Sequence, residues 1–227
     1  RGEAFFQLRH ELLPKDMLAE MFAFCEADLG KVEEGRRIID LRIPAGEIRL
    51  EEMAADRGFA RQPWVSPEGI MPLRDLLPTE LPEGFTFADG TGVAPEEKAA
   101  VHAEAFGYVG EPPYPERAKV GFRRMTEMPD YRTELDIHIR APDGAVACFA
   151  TMWYDAENQI GILEPVGTLP DYRKLGLGRA AIYHGANLIQ ERGAAHVLVG
   201  SDQDFYRRLG FEPRTKYTIW RRASDAH

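Results

Sequence analysis

The sequence predicts an α/β (α+β) protein, and three observations carry that prediction. Segments with a helical apolar period interleave along the chain with segments in which apolar and polar residues alternate. A glycine-rich turn, Arg173-Lys174-Leu175-Gly176-Leu177-Gly178-Arg179-Ala180, joins a predicted strand at 160–166 to a predicted helix ending near Gln190. The order of elements after that turn occurs a second time, in reduced form, near the start of the chain.

Taken in order, residues 16–29 place Met17, Leu18, Met21, Phe22, Cys25 and Leu29 on one helical face. A strand follows at 37–43, a second helix at about 47–57, and another extended piece begins at Gly58-Phe59. The stretch 77–84, with prolines at 78 and 82, reads as a linker. Beyond it come a short strand at 85–87 and a helix that starts near Pro95, with Glu96 and Glu97 in its first turn. An amphipathic segment covers about 115–128. In 132–140, Leu135, Ile137 and Ile139 face one way and Glu134, Asp136 and His138 the other, the pattern of a half-buried strand. Pro142-Asp143-Gly144 turns the chain into a partner strand at 145–154. The remaining elements are a strand at 195–200, a helix ending at Leu209, and a last strand opened by Gly210-Phe211.

The first half repeats the second: helix, strand, helix, then Gly-Phe, with a glycine suited to a left-handed helix stop in both places. In the first copy Leu12-Leu13-Pro14-Lys15-Asp16 stands where the second has its glycine turn, and Ala54 stands where the second has Tyr206.

Composition narrows the function classes. The chain has 227 residues, 44% of them hydrophobic and 29% charged, as in soluble globular proteins. No apolar run approaches the roughly 20 residues that span a bilayer, so no membrane partner is expected. A formal net charge of −9 argues against nucleic acid and is compatible with a cationic amine substrate. Two isolated cysteines, Cys25 and Cys148, read as buried thiols in a reducing, cytoplasmic compartment. The histidines (His10, His102, His138, His184, His196 and His227) lack metal-ligand spacing, so no metal is expected. The chain opens at Arg1 rather than methionine, which leaves room for residues upstream.

The glycine turn carries the chemistry. Between a strand and a helix, such a turn leaves backbone N–H groups unpaired at the positive end of the helix dipole, and that combination binds phosphate. Arg-x-x-Gly-x-Gly resembles the acetyl-CoA signature of the GNAT superfamily of N-acetyltransferases. The lead-in Glu164-Pro165-Val166-Gly167-Thr168-Leu169-Pro170-Asp171-Tyr172 is similar to that family's strand, proline and Asp-Tyr-Arg sequence. Phe205-Tyr206-Arg207-Arg208-Leu209-Gly210-Phe211 resembles its late Tyr-x-x-Leu-Gly-Phe motif.

The resemblance covers about residues 81–227 and implies a GNAT fold, a mixed central sheet with helices on both faces. It implies a catalytic domain at 81–227 and, through the repeat, a partial, degenerate GNAT-like domain at 1–80. It further implies acetyl transfer from acetyl-CoA, as co-substrate, directly to a primary amine on a small molecule or peptide. Glu164, at the end of an apolar strand, is the implied base, improved as a proton acceptor by partial burial. Tyr206 is the implied general acid, its phenol protonated at neutral pH. Pro165 interrupts the strand ladder, and the backbone of Val166, Gly167 and Thr168 would pair with the pantetheine arm. Gly167 and Thr168 depart from the apolar residues more usual there. Arg173, Lys174, Leu175, Gly176, Leu177, Gly178 and Arg179 form the pyrophosphate cradle. His138, Trp153 and Tyr108 are weaker candidates for the acceptor pocket, with Phe106 and Tyr114 beside them. A non-catalytic acyl-CoA-binding module, or a transferase of longer acyl groups, uses the same cradle. The acceptor amine and the oligomeric state, homodimer included, stay open.

Overall fold

A computed structural model describes residues 2–5, 13–110 and 114–225. His10, Leu12 and His227 lie outside the described residues. The chain forms two compact units that do not follow chain order: Arg1–Gly69 with Gly200–Asp202 and Pro213–His227, and Ile70–Val199 with Gln203–Glu212.

The first unit contains β1 (Glu3–Phe5), α1 (Lys15–Asp28), β2 (Lys31–Glu33), β3 (Arg36–Pro44), α2 (Ile48–Asp56) and most of β4 (Ala60–Pro72). The alternation of β3 puts Ile39, Leu41 and Ile43 into a core with Leu18 and Phe22 of α1 and Leu50 of α2. Two residues assigned to the apolar face of α1, Met17 and Leu29, are exposed. The core buries the narrow stripe Leu18, Phe22 and Cys25, spaced by four and three residues, with Met21 partly buried against it.

α2 ends in the cap anticipated for it. Gly58 is left-handed (φ 78°), Phe59 N–H donates to Ala54 O (3.0 Å), and Gly58 N–H donates to Ala55 O (2.9 Å).

The second unit holds β5 (Thr86–Ala88), α3 (Pro95–Phe106), α4 (Tyr114–Thr126), β6 (Asp136–Arg140), β7 (Val146–Asp155), β8 (Ile160–Thr168), α5 (Leu177–Gln190), β9 (His196–Val199) and α6 (Asp204–Arg208). Its strands run in the order β9-β8-β7-β6-β5, antiparallel except for the parallel β8–β9 pair. One face carries Ile137, Ile139, Ala150, Met152 and Leu163 against α5, which contributes Leu177, Ala181, Ile182 and Ile189 to the same core. α3 and α4 cover the other face. The half-buried strand expected at 132–140 is therefore buried on both sides, with Asp136 and His138 only 1% and 2% exposed. The regular strand begins at Asp136, after a single 3-10 turn at Thr133–Leu135.

α6 closes with the same cap as α2: Gly210 is left-handed (φ 98°), Phe211 N–H donates to Tyr206 O (3.1 Å), and Gly210 N–H donates to Arg207 O (3.1 Å). The proline-rich stretch at 77–84 has no regular element but is fastened to α5. The Asn187 side chain accepts from Leu77 N–H and donates to Leu77 O, both at 2.9 Å.

The last strand, β10 (Glu212–Asp225), belongs to the first unit from Pro213 onward. It pairs antiparallel with β3 from Tyr217↔Pro44 to Asp225↔Arg36, and Arg221 forks onto Asp40 with both bonds at 2.7 Å. Conversely, the end of β4 from Ile70 belongs to the second unit, where Met71 joins the core. Each unit thus takes strand residues from the other half of the chain.

Candidate active site

β8 and β9 pair from Ile160↔His196 to Ile162↔Leu198, and the register ends there. Beyond that point the edge of β8 facing β9 has no partner strand among the described residues. On its other side, β7 and β8 slip between Ala150↔Val166 and Met152↔Leu163. Thr151 of β7 therefore faces two residues of β8, Glu164 and Pro165, in a bulge that Pro165, without an N–H, helps to set.

The chain then passes through a 3-10 turn at Pro170–Tyr172 into the glycine turn. Lys174 and Gly176 both have positive φ (66° and 82°), and Gly176 is the N-cap of α5. Among the described residues no side chain caps that N-terminus, which leaves the first amides of α5 without an intrahelical partner. A Cβ on Gly178 would lie 3.3 Å from the Phe205 ring and 3.4 Å from Thr168 Oγ1. The turn and the free part of β8 meet at Thr168.

Arg173 is committed to this junction: its Nε donates to Thr168 O (3.2 Å) and its Nη2 to Ala105 O (2.8 Å). It holds the turn against β8 and the end of α3. Lys174, Leu175 and Arg179 are exposed around the turn, and Leu177 is buried beneath it.

The two candidate proton-transfer residues differ in setting. The Glu164 side chain is exposed, so the partial burial expected of it is absent. Tyr206 is half-buried between Phe205 (5.1 Å, edge-on) and Phe211 (5.7 Å, edge-on). Burial pushes its phenol above the ordinary value, which keeps it protonated at neutral pH. Gly167 has a packing reason: a Cβ there would run into the Phe149 ring (2.6 Å) and Ala105 (3.0 Å).

The face of the sheet under α3 and α4 holds a buried polar cluster that sequence reasoning missed. Asp136 accepts from Lys98 Nζ, from Tyr131 Oη (2.7 Å) and from Thr151 Oγ1 (2.8 Å). Burial alone would push its carboxyl up, but His138 and Lys98 beside it hold it well below the usual carboxylate range. Burial and the Asp136 charge raise the Tyr131 phenol. His138 lies in this cluster, with Nε2 at 3.4 Å from Asp136 Oδ1 and neither ring nitrogen hydrogen-bonded. The one available signal was a lysine, Lys98, on the helical stripe it shares with Val101, His102 and Ala105.

Trp153 donates its indole N–H to Glu164 O (2.7 Å). Tyr108 and Phe106 are exposed and join His102 in an aromatic cluster that includes Phe122 and Phe149. The Tyr114 side chain lies outside the described residues. The two cysteines are free and buried. Cys148 accepts from Thr168 Oγ1 (3.3 Å), and burial pushes its thiol up to about 11, which makes it a poor nucleophile. Among the described residues no group of three or more His, Cys, Asp or Glu could hold a metal ion, and no helix is long and apolar enough to cross a membrane.

Comparison with known proteins finds acetyltransferases. The acetyltransferase (GNAT) domain family matches residues 134–213. Streptothricin acetyltransferase of Streptomyces lavendulae is 36% identical over 75 residues, 30% of this chain and 40% of that protein. A GCN5-related N-acetyltransferase from Sphaerobacter thermophilus superposes with a TM-score of 0.70 at 18% identity, over 97% of this chain and 72% of its own. A tandem GNAT protein from the clavulanic acid biosynthesis pathway gives a TM-score of 0.68 at 15% identity, over 100% of this chain and 76% of its own. The fold is the GNAT fold, which this chain shares with both solved structures. Residues 134–213 thus resemble the acetyltransferase (GNAT) domain family, and the chain spans 40% of the length of the curated acetyltransferase it matches.

Proposed function

We propose that the protein is an acetyl-CoA-dependent N-acetyltransferase that passes the acetyl group directly to a primary amine of a small molecule or peptide. The observation that carries this reading is the junction at Thr168, where the unpaired edge of β8 meets the uncapped N-terminus of α5. A side chain at 176 would be strained and one at 178 would fill the junction, so the residues present fit a bound pyrophosphate. In this reading the amides at the start of α5, with Lys174 and Arg179, hold the phosphates. The backbone of Val166, Gly167 and Thr168 holds the pantetheine arm as a missing strand. Arg173 acts by fixing the turn.

Acetyl-CoA supplies an activated thioester. Glu164 takes the proton from the amine, and its exposure suits transfer through a water molecule. Tyr206 donates its phenolic proton to the departing thiolate. Trp153 and Tyr108 border the acceptor side, whereas His138, 2% exposed beside Asp136, is sealed beneath α3 and α4 and is not an acceptor contact. We assign 81–227 to the catalytic domain and 1–80 to a partial, degenerate GNAT-like domain, a reading supported by the matching caps of α2 and α6. A reducing, cytoplasmic setting fits the two free thiols.

The test is CoA release from acetyl-CoA across a panel of amines. Tyr206→Phe and Glu164→Gln each lower turnover tenfold or more with acetyl-CoA affinity within about twofold, within the usual 10²–10⁴ range for general acid–base groups or just below it. Full turnover in both variants removes the assigned roles.

A further inference from the structure

The Glu164 carbonyl sits in the β8 bulge, outside the β-ladder. Thr151, the β7 residue opposite, turns its hydroxyl away to Asp136 Oδ1. A carbonyl so placed is free to rotate unless another donor holds it. Trp153 supplies that donor. Its backbone pairs with Ile162, and its indole Nε1–H reaches back to Glu164 O at 2.7 Å.

The indole is itself braced. Tyr131 packs edge-on against it at 6.3 Å. The Tyr131 hydroxyl donates to Asp136 Oδ2 (2.7 Å) and accepts from Lys98 Nζ (2.9 Å). Lys98 comes from α3 and Asp136 from β6, so the brace ties two layers of the second unit to one bulge carbonyl. A residue that only filled space here would need no N–H.

We propose that Trp153 is a positioning residue for the reaction centre. Its indole N–H fixes the Glu164 peptide in the bulge, and with it the direction of the Glu164 side chain. The cluster of Tyr131, Asp136 and Lys98 keeps the ring in place. This rests on the reading of Glu164 and β8 as the reaction centre.

Trp153→Phe keeps an aromatic ring and removes only the donor. In the ligand-free full chain, the amides of 163–169 other than Pro165 exchange with deuterium at least tenfold faster in this variant, while those of α5 and β6 keep their rates. In CoA-release assays kcat falls tenfold or more and the KM for acetyl-CoA stays within twofold. Tyr131→Phe produces the same pattern with a smaller amplitude. Unchanged exchange at 163–169 overturns the proposal. So does faster exchange throughout the unit with a drop in melting temperature, which would make Trp153 a general packing residue. If wild type neither binds acetyl-CoA nor releases CoA, the acetyltransferase reading fails on its own, and the exchange comparison still decides whether the indole fixes the bulge.

Discussion

Gly178 condenses the residue-scale argument. Its α-hydrogen faces Thr168 Oγ1 and the Phe205 ring in the space where the turn meets β8. Inside a helix, alanine is favoured over glycine by about 1 kcal/mol, so Gly178→Ala leaves stability within about that margin. The added methyl enters the cradle, and acetyl-CoA affinity measured by calorimetry falls severalfold. Unchanged affinity would place the phosphates elsewhere. The cradle was legible because glycine at a strand-to-helix turn has few uses. The fate of Arg173 was not. An arginine beside a phosphate turn reads as a phosphate ligand, and only the fold places Ala105 O and Thr168 O within its reach. Glu164 likewise carried no mark of its exposure.

At the scale of elements, the Asp136 cluster links α3, β6 and β7. Lys98→Met leaves the carboxylate without its cation and costs about 3–5 kcal/mol in denaturant unfolding. The double variant Lys98→Met/Asp136→Leu recovers most of that loss. Because the folded Asp136 carboxyl titrates below its ordinary value, its contribution is complete above the unfolded value of about 3.9 and is lost as pH falls further. The difference in melting temperature between wild type and Asp136→Asn therefore narrows below pH about 4. A constant difference would remove the ion pair from the account.

The longer helices and strands were legible, since periods of 3.6 and 2 survive in the apolar residues of α1, β3, β6 and α5, while the three-residue strands β1 and β2 are too short to show a period. Burial of the polar face of β6 was not, because alternation marks which residues share a face and not what covers that face. α3 and α4 cover it, and Lys98 neutralises what they bury.

For the whole molecule, the sequence reads as two consecutive halves, whereas the compact units exchange strand residues. The residues from Pro213 onward pack with β3, and Ile70–Pro72 pack in the second unit. Strand exchange leaves no local signal, because β10 alternates in the same way whichever neighbour it pairs with. A fragment of 81–227 therefore lacks Met71 from its core and strands β10 without β3. It unfolds at a lower temperature than the full chain, or does not fold, in calorimetric scans, and an equal melting temperature would refute the exchange.

The central claim is that the junction at Thr168 binds CoA. Calorimetric titration of the full chain with acetyl-CoA, and with free CoA beside it, tests this most directly. Micromolar binding of both ligands is the result the account predicts, since cradle and strand edge grip the part they share. No heat at millimolar ligand would contradict it.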